Sequence, residues 1–361
     1  MRILAIPKNT DKKYSFELFE LLRYYQNEVI SFEEKRPLPI IKIFSLFQKF
    51  KTSFGLKNES VSNKLDKILQ KDRFDFFWNM GLNRDHLHIL AQRAQNRRIR
   101  FIQTIAEDAL ICSKNETFYD KPHYELDKLV KFYDPNIDLF LVNSKFIKNI
   151  LQKNGIDEEK IIHISAFIDT LKYKPCFKSE NYCIYRYREE DKNGLNFLID
   201  AMKKIPKHKL IVTSNKNKNL KKKFNLQNVL FLENLNETEE QNLLKMARFS
   251  IVFSDIQPQE ILENYAMGKP VLAVHSGSNE EYMVNTYSGL LFNNDLNDLS
   301  GKIDYLMQSP DFCTEAGKFA RSLAQNCFDK QNHYNRIFQA IHTIPKKELL
   351  NTFNDKYLNI S

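Results

Sequence analysis

Short apolar runs alternate with amphipathic stretches along most of the chain, the pattern of buried strands joined by helices. In the first half, strands are predicted at Arg2 to Ile6, Glu28 to Phe32, Arg73 to Trp78, Arg100 to Ile105, Asp138 to Val142 and Lys160 to Ile164. Helices fall between them at Tyr14 to Tyr25, at Asp85 to Gln95, and from a Ser144 cap to Lys153 before Gly155. Asp169 to Asn181, which contains Pro175, reads as a linker. The alternation then restarts with strands at Tyr182 to Tyr185, Lys209 to Thr213, Asn228 to Leu232, Phe249 to Phe253 and Val271 to Val274. A helix begins at Thr238, another runs from Gln259 to Met267 and stops at Gly268, and Phe312 to Ile341 is helical.

The richest chemistry lies between Ser254 and Met283, SDIQPQEILENYAMGKPVLAVHSGSNEEYM. A strand, a loop, a helix and a second strand follow one another in about the length of a βαβ unit. Pro258 suits a first helical turn, because its φ is already set and its missing N–H is not needed there. The start of such a helix sits at the carboxyl end of the strands, where unpaired N–H groups and the dipole attract an anion. Asp255 stands at the mouth of that site, and Glu263 lies inside the helix. Carboxylates cannot bind a phosphate, but they accept hydrogen bonds from sugar hydroxyls beside one. A mouth with both features suits a nucleotide-sugar. Asp255 could equally be a helix cap, and Glu260, three residues before Glu263, reads as a solvated helix side chain.

These residues resemble the donor-binding segment of retaining GT-B glycosyltransferases, in particular glycosyltransferase family 4, the group 1 glycosyltransferases. In the family's order, Asp255 stands at a first glutamate, Glu263 at a second, ENYAMGKPV completes the helix and strand, and Ser276-Gly277 stands at a glycine pair followed by Glu280. Departures are Asp for Glu at 255 and Ser for Gly at 276. The family's arginine and lysine, which neutralise the donor diphosphate, match Arg186 and Lys192 in RYREEDKNGLNFLIDAM, with Arg188 competing for the arginine position. Asn234 replaces a usual glycine, and Pro7 to Thr10 replaces a glycine-rich loop. A cleft histidine is replaced by Ala106, followed by Glu107 and Asp108, which could orient an acceptor or simply face solvent.

The resemblance implies an α/β GT-B fold: two Rossmann-like domains with parallel sheets facing across a cleft. It implies an acceptor-side domain over 1–170, a nucleotide-sugar-binding domain over 171–335, and a C-terminal helix and tail, 336–361, crossing back to the first domain. The implied activity is metal-independent hexosyl transfer, with retention, from a UDP- or GDP-linked sugar to a glycan or lipid-linked acceptor in bacterial surface glycan or glycolipid assembly. Arg186, Lys192, Ser276 and Gly277 would hold the diphosphate end, Glu263 the ribose, and Asp255 the transferred sugar. No cofactor is expected, and no Asp-x-Asp pair suggests a metal. The missing glycine loop, the missing histidine and the shorter acid at 255 fit an alternative: a catalytically degenerate GT-B subunit that binds a glycan or a partner protein.

Length and composition narrow the setting. The 361 residues suffice for two domains of ordinary size. The net charge of +9 favours anionic partners, which include nucleotide phosphates and lipid headgroups. A nucleic acid is not expected, because the lysine run from Lys216 to Lys223 reads as a solvated helix. The stretch 39–54 places Ile40, Ile43, Phe44, Phe47, Phe50 and Phe54 on one helical stripe, with Lys42, Lys49 and Lys51 beside it. It reads either as a helix lying on an anionic membrane surface or as a core helix. Cys112, Cys176, Cys183, Cys313 and Cys327 show no metal-ligand spacing and read as reduced packing residues. No apolar run approaches the ~18 residues of a membrane span. The expected location is cytoplasmic, either soluble or peripheral on the inner face of the plasma membrane.

Overall fold

The computed structural model describes residues 2–6, 28–31, 73–80, 87–105, 136–188, 192–214, 220–224, 226–253, 258–277 and 279–343. The expectations that fall outside them include the helix at Tyr14 to Tyr25, the stretch 39–54, the loop Pro7 to Thr10, Ala106 with the pair Glu107 and Asp108, Cys112, Asp255, the start of the lysine run at 216–219 and the tail 344–361.

The described strands form two six-stranded parallel sheets. The first contains β1 (Arg2–Ile6), β2 (Glu28–Ser31), β3 (Phe76–Asn79), β4 (Arg100–Ile105), β5 (Leu139–Val142) and β6 (Ile161–His163), in the order β2-β1-β3-β4-β5-β6. The second contains β7 (Cys183–Arg186), β8 (Leu210–Ser214), β9 (Val229–Glu233), β10 (Ser250–Val252), β11 (Val271–Val274) and β12 (Gly289–Phe292), in the order β12-β11-β10-β7-β8-β9. Helices cover both faces, which is why the strands read as apolar runs without alternation. This is the two-domain Rossmann-like architecture implied by the resemblance.

Successive side chains on a strand point to opposite faces. In β3, Phe77 joins Phe101 and Phe140 in a core shared with α1 (Leu87–Asn96) and α2 (Lys145–Lys153). Phe76 and Trp78 point the other way, into a core with Ile102, Leu139 and Leu141. That second face is closed from far along the chain. The remaining helices are α3 (Lys192–Lys204), α4 (Leu220–Lys223), α5 (Glu237–Met246), α6 (Pro258–Ala266), α7 (Asn279–Tyr282), α8 (Leu296–Gln308), α9 (Pro310–Asn326) and α10 (Lys330–Thr343). Tyr334, Ile337, Ala340 and Ile341 of α10 pack on the first sheet, so the last described helix crosses back to the first domain.

The local rules act where expected, with some displacement. Ser144 caps α2, its Oγ accepting from the Ile147 N–H at 3.2 Å. The lysine run is helical only over Leu220–Lys223 among the described residues. Helix α5 starts one residue before Thr238, because Asn236 and Glu239 form a reciprocal capping box that fixes the first turn. The predicted helix from Phe312 to Ile341 is two helices. The break comes where the Phe328 carbonyl accepts from the Ile168 N–H at 2.8 Å and Asp329 accepts from the Thr170 hydroxyl at 2.6 Å. Those bonds tie the turn to the strand-like chain leaving the first domain and redirect α10. Gly268 ends α6 at φ +73°, and α9 passes so close that a Cβ on Gly317 would lie 2.2 Å from the Gly268 carbonyl oxygen.

The two domains also meet at α7. The Glu281 carboxylate accepts from the N–H groups of Lys145 and Phe146, each at 2.7 Å, and so caps the dipole of α2. The Tyr282 hydroxyl donates to the Asn143 carbonyl at 2.8 Å and accepts from the Ala166 N–H at 2.9 Å.

The crossing helix makes the fold sensitive to acid. His333 of α10 shares a 2.8 Å hydrogen bond between its Nδ1 and the Ser165 carbonyl, and its ring lies 4.5 Å from that of Phe167. Burial lowers its pKa from 6.5 to about 4, against the opposing pull of that carbonyl. The folded state therefore resists a proton that the unfolded chain accepts. Stability contributed by neutral His333 is present above pH 6.5 and is lost as pH falls from about 6.5 to about 4. Denaturant unfolding across that window should show a decline that His333→Gln flattens; an equally steep decline in the variant would contradict the assignment.

Candidate donor site

Strand order in the second sheet reverses between β7 and β10, which are neighbours although β8 and β9 separate them in sequence. Loops leave such a point in opposite directions and open a crevice at the carboxyl ends of the strands. Arg186 is the last residue of β7. Helix α6 follows β10 and begins at Pro258, so its first turn opens into the same crevice. The sheet thus brings Arg186 beside Glu263, 77 residues later in the chain.

The contact is direct. Arg186 Nη1 donates to Glu263 Oε2 at 2.7 Å. Its Nε lies 3.2 Å from Glu240 Oε2, and Glu240 Oε1 accepts from the Thr213 hydroxyl at 2.8 Å. The side chains of Arg186, Glu240 and Glu263 are only 14%, 19% and 21% exposed, so the pairs are weakly screened. Burial disfavours the Arg186 charge, but Glu260, Glu263 and Glu240 outweigh it and the guanidinium pKa is raised. Tyr173, which is buried, hydrogen-bonds Glu263. Burial first, then the Glu263 charge and that bond, raise the phenol's pKa.

Two expectations change here. Glu260, read as a solvated helix residue, is 3% exposed and its Oε2 lies 3.6 Å from Arg188 Nη2. Helical spacing placed it on the same face as Glu263, but that face turns into the sheet opening. Arg186 and Arg188, rivals for one role in the sequence, both meet acids of α6. The missed residues are Glu240, Thr213 and Tyr173. Glu240 sits in an ordinary polar helix and Tyr173 in the linker, so neither carries a local signal; only the sheet order reveals them.

The remaining candidates follow strands of the second sheet. Lys192 is the first residue of α3, the helix that follows β7. Gly277 adopts φ +58° and Ser276 is half-buried, its N–H donating to the Val274 carbonyl at 3.0 Å just past β11. Asn234 takes φ +61°, a conformation that asparagine tolerates better than other side chains, which accounts for a glycine being usual there. Glu280 pairs with His275, Oε1 to Nε2 at 3.0 Å. Among the described residues, no group of three or more His, Cys, Asp or Glu side chains is arranged to hold a metal ion.

The supports behind this opening are rigid. Arg321 of α9 donates through Nη2 to the Thr170 carbonyl at 3.2 Å and through Nη1 to the Tyr173 carbonyl at 3.3 Å and the Ala266 carbonyl. It thereby fixes the linker and the end of α6 together. Removing one partner of a poorly solvated ion pair costs more than the pair contributes, because the other charge is stranded. Arg186→Ala should therefore destabilise the protein by about 3–5 kcal/mol. Arg188→Ala removes one longer contact, at 3.6 Å, while Arg186 still faces the buried Glu260, and should cost less. Equal losses in denaturant unfolding would contradict this ranking.

Comparison with known proteins bears on the fold and on the second domain. Residues 181–309 match the family model for glycosyl transferases group 1, a span that contains Arg186, Lys192, Glu263 and Gly277. No curated protein matches the chain. Among solved structures, HepE of Anabaena in complex with UDP and glucose has a TM-score of 0.68 at 15% identity, covering 95% of this chain and 100% of its own. Sucrose-phosphate synthase from Thermosynechococcus elongatus has a TM-score of 0.69 at 15% identity, covering 95% of this chain and 98% of its own. A glycosyltransferase from Rickettsia africae has a TM-score of 0.68 at 18% identity, with coverage of 95% and 98%. At such identities the structures speak for the fold, and the family model speaks for the second domain. The chain has the GT-B fold and, through residues 181–309, is related to the group 1 glycosyl transferases.

Proposed function

We propose that the protein transfers a sugar from a nucleoside diphosphate sugar to an acceptor hydroxyl. The observation that carries this reading is the meeting of Arg186 and Glu263 at the switch point of the second sheet, inside the span matched by the family. A guanidinium has five N–H donors. Nη1 donates to Glu263, and Nε lies 3.2 Å from Glu240 as an ion pair without a hydrogen bond; in this reading the Nη2 donors are the ones offered to a diphosphate. In this reading Lys192, at the start of α3, adds a point charge, and the Gly277 backbone lines the same anion. These groups stabilise the charge that develops on the leaving diphosphate.

The finer assignments belong to the same proposal. Glu263 accepts from the ribose hydroxyls and Asp255 contacts the transferred sugar. The leaving phosphate takes the acceptor's proton, so transfer proceeds with retention and without a metal or a protein base. The acceptor is a glycan or a lipid-linked glycan, and the stripe in 39–54 either meets an anionic membrane surface or belongs to the core. The support is the residue-by-residue match to the family pattern. The HepE complex holds UDP and glucose, the two parts of a donor of the proposed class.

Lys192→Ala should weaken nucleoside diphosphate binding by about 1.5–3 kcal/mol, roughly 10- to 150-fold, with little change in melting temperature. Unchanged affinity in calorimetry would remove Lys192 from the site. Asp255→Asn should leave diphosphate affinity nearly intact and lower kcat sharply, as expected for an interaction made mainly in the transition state. If Asp255→Asn only lowers the melting temperature while turnover per folded molecule is unchanged, Asp255 is a cap. Donor binding without transfer by the native protein would favour the degenerate-subunit reading.

A further inference from the structure

The side-chain chain running from Thr213 through Glu240 and Arg186 to Glu263 crosses β8, α5, β7 and α6. Its members come from four elements, yet each contact falls between 2.7 and 3.2 Å. Buried ion pairs add little net stability, because desolvation offsets attraction. Their consequence is geometric: a guanidinium that donates to Glu263 and faces Glu240 across a 3.2 Å ion pair is restricted in orientation, and so is the carboxylate it binds.

Glu240 is well placed to be the fixed end. The capping box holds the first turn of α5, and the Tyr182 hydroxyl donates to the Leu243 carbonyl at 2.8 Å one turn further on. Thr213, fully buried at the end of β8, sets the rotation of the Glu240 carboxylate. Glu263, at the other end of the chain, borders the crevice.

We propose that Glu240 is a positioning residue for the donor's ribose. Held by Thr213, it fixes Arg186, which fixes the Glu263 carboxylate in the orientation that accepts from both ribose hydroxyls. This rests on the reading of Glu263 given above. Without Glu240, Arg186 keeps Glu260 and Glu263 to face but loses the charge on its Nε side, so the guanidinium that meets Glu263 opposite Tyr173 can turn. The Lys192 and Gly277 contacts to the diphosphate do not pass through Glu240, whereas those of Arg186 do, so both sugar forms weaken and the ribonucleotide weakens more. The signature is therefore a loss of discrimination between ribose and a sugar that lacks its hydroxyls, beyond the loss of binding common to both.

The test is calorimetric titration of UDP and GDP, then of the 2′,3′-dideoxy form of whichever binds the native protein more tightly. The native protein should prefer the ribonucleotide. Glu240→Gln should shrink that preference about five- to tenfold, with a smaller loss of affinity for the dideoxy form than for the ribonucleotide. If the variant keeps the full preference, or loses affinity equally for both forms, the positioning role is overturned while the functional reading stands. A native protein that binds neither diphosphate, or that binds both sugar forms alike, defeats the functional reading of the site and this inference with it. Should Glu240→Gln fail to fold, Thr213→Val removes the hydroxyl bond in a side chain of equal size and should shift the preference in the same direction. Thr213→Ser, which keeps the hydroxyl, should restore it; a preference unaltered by Thr213→Val overturns the proposal.

Discussion

The ion pairs of Arg186 with Glu240 and Glu263 govern the open end of the second domain. A guanidinium in a poorly hydrated crevice is tolerated only with compensating charge, and here the acids come from α5 and α6. That requirement fixes the positions of both helices relative to β7. It also explains why Tyr173 and Arg321 reach in from outside the sheet: the linker must close over the end of α6 for Glu263 to stay shielded. Charge compensation, more than apolar packing, defines the shape of this mouth.

A second constraint joins the domains. Glu281 and Tyr282 follow directly on the turn that carries Ser276 and Gly277, and both bind backbone groups of the first domain. That turn and the interdomain seam are therefore neighbouring parts of one short segment. On the far side, α10 completes the core of the first sheet. The second domain cannot shift relative to the first without straining one of these two attachments.

Much of this is legible in the residues. Continuous apolar runs mark buried parallel strands, and β1, β4 and β11 fall where those runs place them. Ser144 and Gly268 mark helix ends because their chemistry acts locally. The spacing of Arg186 and Glu263 within a family pattern points to the site without any knowledge of the sheet order. What stays hidden is non-local. Glu260 has the spacing and chemistry of a surface residue, and only its face relative to the sheet makes it buried. Glu240 and Thr213 are remote from the motif in sequence and become part of the site only because β7 lies between β8 and β10. The break before α10 depends on Ile168 and Thr170, more than 150 residues upstream, which no local pattern at 327–329 encodes.

The central claim is that the crevice at the switch point of the second sheet holds a nucleoside diphosphate sugar. Hydrogen exchange of the full chain, with and without UDP-glucose and GDP-mannose, tests it most directly. The account predicts that one of these donors slows exchange at the start of α3, through α6 and at the turn around Ser276 and Gly277, leaving β2 and β6 unchanged. Protection confined to the first domain, or no protection with any nucleotide-sugar at saturating concentration, would contradict it.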